Sequence, residues 1–91
     1  MSFLMAFQLS FAQKTVSGTV TDDNSVPLPG ATVIVEGTSN GVTTDFDGNY
    51  SISASEGDVL VVSFVGYATA SSTVGASATL NFSLSPSSAL E

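Results

Sequence analysis

Apolar and polar side chains alternate along most of this chain. In Thr15-Val16-Ser17-Gly18-Thr19-Val20-Thr21, valine or glycine takes every second position and hydroxyl side chains fill the rest. A repeat of two is that of a half-buried β-strand, whose successive side chains point to opposite faces. Gly18 has no side chain to pack, so its place in mid-strand predicts a close approach by a neighbouring backbone. Ala31-Thr32-Val33-Ile34-Val35-Glu36 and Ala78-Thr79-Leu80-Asn81-Phe82-Ser83-Leu84 are further strands. Val59-Leu60-Val61-Val62-Ser63-Phe64-Val65 is apolar almost throughout. That predicts a central strand covered on both faces, with Val61 and Val65 also seeking burial. Tyr67 to Val74 is a weaker strand, rich in Ser and Thr, expected at an edge.

Turn-formers separate these segments: Asp22-Asp23-Asn24-Ser25, Pro27-Leu28-Pro29-Gly30, Gly37-Thr38-Ser39-Asn40-Gly41, Ser55-Glu56-Gly57-Asp58 and Gly75-Ala76-Ser77. Gly41 to Ile52 reads as strand, tight turn, strand. Its Asp47-Gly48 pair supplies the positive φ that a reversed hairpin turn needs, so a β-hairpin is predicted there. Seven short strands at intervals of about ten residues predict an all-β, seven-stranded antiparallel β-sandwich. The expected core is Val16, Val20, Val33, Val35, Ile52, Leu60, Val62, Leu80, Phe82 and Leu84. No helical period follows Gln13.

The first dozen residues differ. Phe3-Leu4-Met5-Ala6-Phe7-Gln8-Leu9-Ser10-Phe11-Ala12 is too short to span a bilayer, which takes about 20 apolar residues. It suits the apolar core of a secretory signal peptide, with Ser10 and Ala12 at the positions a peptidase reads and cleavage before Gln13. The alternative is an extra strand or helix packed on the domain. On the signal reading, residues 1–12 are a signal-peptide remnant, the folded part is exported, and residues 13–85 form the sandwich.

Composition narrows the chemistry. The 91 residues contain no Cys and no His, which argues against disulfides and a zinc site. Net charge is −7, with Lys14 the only basic residue. Such a field repels phosphate backbones and excludes nucleic acid as a partner.

Four segments carry a family resemblance: Val16-Ser17-Gly18-Thr19-Val20-Thr21-Asp22, Pro27-Leu28-Pro29-Gly30-Ala31-Thr32-Val33, Thr44-Asp45-Phe46-Asp47-Gly48-Asn49-Tyr50-Ser51-Ile52 and Ser63-Phe64-Val65-Gly66-Tyr67. In this order they resemble the carboxypeptidase-regulatory-like domain, over about residues 14–84. The resemblance implies a transthyretin-like sandwich with Greek-key wiring. It is to the version found at the amino terminus of SusC/RagA-type TonB-dependent outer-membrane transporters of Bacteroidetes. It implies a periplasmic location at the outer membrane. The implied partners are the rest of the transporter chain, the TonB machinery or a SusD-like lipoprotein, and the isolated domain is expected to be monomeric. Residues 86–91 then read as a linker toward a TonB box and plug, with Leu90-Glu91 either the approach to that box or a cloning scar.

Candidate sites are few. Asp45, Asp47, Asn49 and Glu56 fall at positions 1, 3, 5 and 12 of a calcium loop, but Tyr50 stands where that loop needs glycine. The competing and preferred reading makes Asp45, Asp47 and Gly48 a structural turn whose aspartates accept local amide hydrogen bonds. The pairs Asp45/Asp47 and Asp22/Asp23 lack any neighbouring group that would fit them for acid–base catalysis, so no enzyme activity, catalytic residue or cofactor is expected. Phe46 is the aromatic expected at the surface and the candidate contact residue. Tyr50 and Tyr67 are expected to pack. Two function classes emerge: a non-catalytic accessory domain of an outer-membrane nutrient transporter for glycans or peptides, or an adhesion module binding carbohydrate or calcium on a secreted or cell-surface protein.

Overall fold

The computed structural model describes residues 13–87. The segments expected to be signal peptide (1–12) and scar or TonB-box approach (90–91) lie outside them. Seven strands run in order: β1 (Lys14–Asp22), β2 (Thr32–Val35), β3 (Gly41–Thr43), β4 (Asn49–Ala54), β5 (Val59–Ser63), β6 (Ala70–Thr73) and β7 (Phe82–Leu84). They form a three-stranded sheet, β4-β1-β7, and a four-stranded sheet, β3-β2-β5-β6. The inner faces enclose one core, in which Val16, Val20, Val33, Leu60 and Val62 are completely buried. Val35, Ile52, Phe82 and Leu84 are buried with them, as the alternation predicts. Leu28, Ala31, Tyr50, Ala54 and Val74 complete the cluster.

Gly41 to Ile52 is not a hairpin. β3 pairs with β2 and β4 pairs with β1, so the chain arches from one sheet to the other. The turn chemistry is present, and Asp45 and Asn49 still share a backbone hydrogen bond of 3.0 Å. Long-range pairing wins, however. β4 matches β1 over six residue pairs, Lys14↔Ala54 to Thr19↔Asn49, and that ladder turns Tyr50, Ile52 and Ala54 inward. The three residues of β3 could not offer β4 an equivalent ladder.

One pairing is parallel rather than antiparallel. β7 lies along β1 in the register Val20↔Phe82, Thr21↔Ser83, Asp22↔Leu84. A parallel pair needs a long connection, and here all the other strands lie between the two. The last strand is also shorter than its alternation predicts. Residues before Phe82 follow β1 by mixed contacts: Ser17 donates to Ala78 O at 2.9 Å, Leu80 donates to Ser17 O at 2.9 Å, and the Thr19 amide bonds Asn81 Oδ1 at 2.9 Å. A side-chain oxygen thus replaces a ladder carbonyl, and Leu80 stays half-buried against the core instead of inside it. This crossing explains Gly18, because a Cβ there would overlap the Leu80 carbonyl.

β5 is central in its sheet, between β2 and β6, but only one of its faces is covered. A two-layer sandwich buries one face of each sheet. Val61 is half-buried beside its register partner Ile34 on the outer face, where the two shield each other. Val65 lies past the strand and is 91% exposed. The predicted edge strand is β6. Pro86 and Ser87, expected to be linker, are still attached: Pro86 bridges Tyr67, and the Ser87 amide bonds Gly66 O at 2.9 Å.

Candidate functional site

The strand registers gather the β1–β2, β3–β4 and β5–β6 connections, with the exit at Ser87, at one end of the sandwich. Two loops at this end use the same device. Asp45 Oδ1 accepts the amides of Asp47 and Asn49, both at 2.9 Å, while the Gly48 amide bonds Asp45 O at 2.9 Å. Asp22 Oδ1 accepts the amides of Asn24 and Val26 at 2.7 and 2.9 Å, while the Ser25 amide bonds Asp22 O at 3.1 Å. Each turn puts its fourth residue at positive φ, 77° for Gly48 and 66° for Ser25. Ser25 is exposed, whereas Gly48 is buried beneath β1, where a Cβ would lie 2.6 Å from Val20 O. Only at Gly48 do conformation and space both demand glycine.

Thr44 anchors the arch from inside. It is the buried polar residue of the described chain; its hydroxyl donates to Leu28 O and accepts the Ala31 amide at 2.9 Å. The Pro27–Ala31 loop is thereby fixed against the arch. Asp47 departs from the expectation that both aspartates accept amides: it enters the turn through its own backbone amide, and Asp45 is the cap.

One oxygen each of Asp22 and Asp45 is committed to two amides, as a structural cap uses it. The four calcium candidates are not gathered: Asn49 begins β4, whereas Glu56 lies beyond its far end, 3.9 Å from Lys14 Nζ. Among the described residues, no group of three or more His, Cys, Asp or Glu is placed to hold a metal ion. Tyr50, Tyr67 and Phe46 have different surroundings. Tyr50 is buried, its hydroxyl donating to Leu80 O, and desolvation pushes its pKa up to about 12. Tyr67 packs on Phe64 with ring centroids 5.8 Å apart. Phe46 stands out from the turn, 90% exposed.

Two open recesses flank Gly30. Pro29, Thr44, Asp45 and Phe46 line one with it, of about 460 Å³; Thr32, Ser63, Phe64 and Val65 line the other, of about 350 Å³. The apolar run around Val65 hides its place at the surface. The signal lies in Phe64-Val65-Gly66-Tyr67: Gly66 has φ 88° and Tyr67 donates to Phe64 O at 3.0 Å, a turn that lifts Val65 off the sheet.

Residues 16–91 match the family described as CarboxypepD_reg-like domain. The chain is 54% identical over 59 residues to the TonB-dependent receptor SusC of Bacteroides thetaiotaomicron, covering 64% of this chain and 6% of that one. It is 44% identical over 82 residues to the TonB-dependent receptor P26 of Formosa agariphila, covering 90% of this chain and 8% of the receptor. Among solved structures, a type II cohesin–X-dockerin complex of Acetivibrio cellulolyticus superposes with TM-score 0.59 at 25% identity, over 76% of this chain and 51% of that one. The extent of the family match and the identity to P26 lead to one conclusion: this chain belongs to the CarboxypepD_reg-like domain family.

Proposed function

We propose that this chain is a non-catalytic accessory domain of a TonB-dependent outer-membrane nutrient transporter, exported and held on the periplasmic side. The observation that carries this reading is its identity to TonB-dependent receptors over most of the sandwich. The chain accounts for only a small part of those receptors' length, so the domain works within a much larger polypeptide. Its own structure supports contact rather than chemistry. Asp22 and Asp45 cap their turns, and the two most exposed large apolar side chains, Phe46 and Val65, both stand on loops of one end.

Removing residues 14–87 from the complete transporter tests the role. Uptake of the transported glycan or peptide should fall while the transporter's level in the outer membrane is unchanged. Unaltered uptake at equal transporter level would refute an accessory role.

A further inference from the structure

We propose that the loop end bearing Phe46 and Val65 docks onto the transporter polypeptide downstream of this domain, against an apolar socket with a basic rim. The inference rests on the reading of the chain as a transporter domain and adds the contact surface and the nature of its partner.

Three observations converge. The first is exposure. Among the described residues Phe46 and Val65 are 90% and 91% exposed, well above the next large apolar side chains, Val26 at 52% and Ile34 at 36%, and they stand on either side of Gly30, which lines both recesses. Apolar side chains held out on fixed turns are the anchors a facing pocket takes up. The second is charge. Asp22, Asp23, Asp45 and Asp47 belong to the loops of this end with no basic residue among them, whereas at the opposite end Lys14 offsets part of the charge of Glu36, Glu56 and Asp58. A facing surface that carries cations complements this end. A second copy docking through the same face would set these carboxylates against their own kind, which disfavours a symmetric dimer here. An anionic lipid surface is repelled on the same grounds.

The third is connectivity. Ser87 is bonded to Gly66 O and Pro86 bridges Tyr67, so the chain leaves the sandwich next to Val65. The downstream polypeptide is delivered to this end first. Being tethered in the same chain raises its effective concentration, so that even a small contact is populated.

Photo-crosslinking in the full-length transporter tests this. Benzoylphenylalanine is placed at position 46, at position 65 and, as a control at the opposite end, at position 39; crosslinked peptides are mapped by mass spectrometry. Positions 46 and 65 should join peptides downstream of this domain in the same chain, and position 39 should not. Phe46→Asp should abolish the crosslink from position 65 without altering the proteolytic resistance of the sandwich, because Phe46 faces solvent. Raising the ionic strength should weaken both crosslinks. Yields at 46 and 65 no greater than at 39 would overturn the proposal, as would capture of a second copy or of a separate protein. If deleting the domain impairs uptake but these crosslinks are absent, the docking surface is wrong and the accessory role stands. If the crosslinks form but deletion leaves uptake intact, the surface stands and the accessory role falls.

Discussion

The two ends of the sandwich are finished in different ways. At the end where β1 begins, one side chain draws the loops together: Lys14 Nζ donates to Gly75 O and Ala76 O at 2.8 and 3.1 Å and lies 3.9 Å from Glu56. The loops there are polar, Asp58 Oδ2 accepts the Ser55 amide at 2.9 Å, and Gly37, Gly57 and Gly75 have open space where a Cβ would go, as Gly66 has at the Ser87 end. At the other end side chains bond the backbone of the loops themselves. Asp22 and Asp45 cap their own turns, Gly48 is wedged under β1, and Thr44 ties two loops from within. Internal ties consume backbone groups and leave side chains at the loop tips facing outward. This is how Phe46 and Val65 stay exposed on fixed supports, whereas the Lys14 end spends its outward groups on itself.

Glycine substitutions should have the largest effects. Gly48→Val combines positive φ with collision against Val20 O and should cost about 3 kcal/mol or more in denaturant unfolding. Gly57→Val, at φ 94° but with nothing within 4 Å, should cost only the backbone strain, about 1–2 kcal/mol. Equal losses would mean that the packing of Gly48 beneath β1 adds nothing to the backbone strain.

Thr44→Val keeps the volume but leaves the Ala31 amide and the Leu28 carbonyl without the hydroxyl that serves them. A loss of about 2 kcal/mol is expected, with Thr44→Ser close to wild type. If Val and Ser behave alike in thermal melts, the buried hydroxyl is not what fixes this end.

Tyr50 gives a pH test. Burial raises its pKa in the fold from 10.0 to about 12, so the fold favours the protonated phenol. The resulting stability is complete below the unfolded pKa, near 10, and is lost as pH rises through the folded value, near 12. Tyr50→Phe should lose about 1 kcal/mol at neutral pH, with its bond to Leu80 O, and should then decline less between pH 10 and 12. Parallel alkaline melting curves for the two proteins would contradict this.

The smallest effects separate the two aspartates of the arch. Asp45→Ala removes the cap and should cost about 1 kcal/mol, whereas Asp47→Asn should be nearly silent. Calcium or chelator should shift neither melting temperature. A calcium-dependent rise of several degrees that is lost in Asp47→Asn would make this turn a metal site.

Local features were the legible ones. The alternation in β1, β2, β4 and β7 and the apolar run of β5 named nine core residues that are buried, and the bare Gly18 foretold the Leu80 backbone lying against it. Sheet membership was not legible at Asp45–Gly48, because the same turn residues serve a hairpin or an arch. The choice lies in which distant strand offers the longer ladder, and β1 does. The outer valines of β5 misled for a related reason: apolarity records a tendency to be covered, and Ile34 from β2 partly satisfies Val61 without a further layer. The Asx turns could be expected from their aspartates, but the gathering of Phe46, Gly30 and Val65 at one end exists only once three distant loops are brought together.

The parallel pairing of β1 and β7 has a mechanical consequence. The chain enters at the Lys14 end and leaves at the Ser87 end, with its first and last strands side by side. Tension between these points loads the β1–β7 ladder lengthwise, in shear. Its hydrogen bonds lie across the strands and must then yield together instead of unzipping one at a time. Were the last strand antiparallel to the first, the same pull would peel it away bond by bond. Strand direction alone therefore makes this small domain a stiff coupling that passes a pull from its entry to its exit.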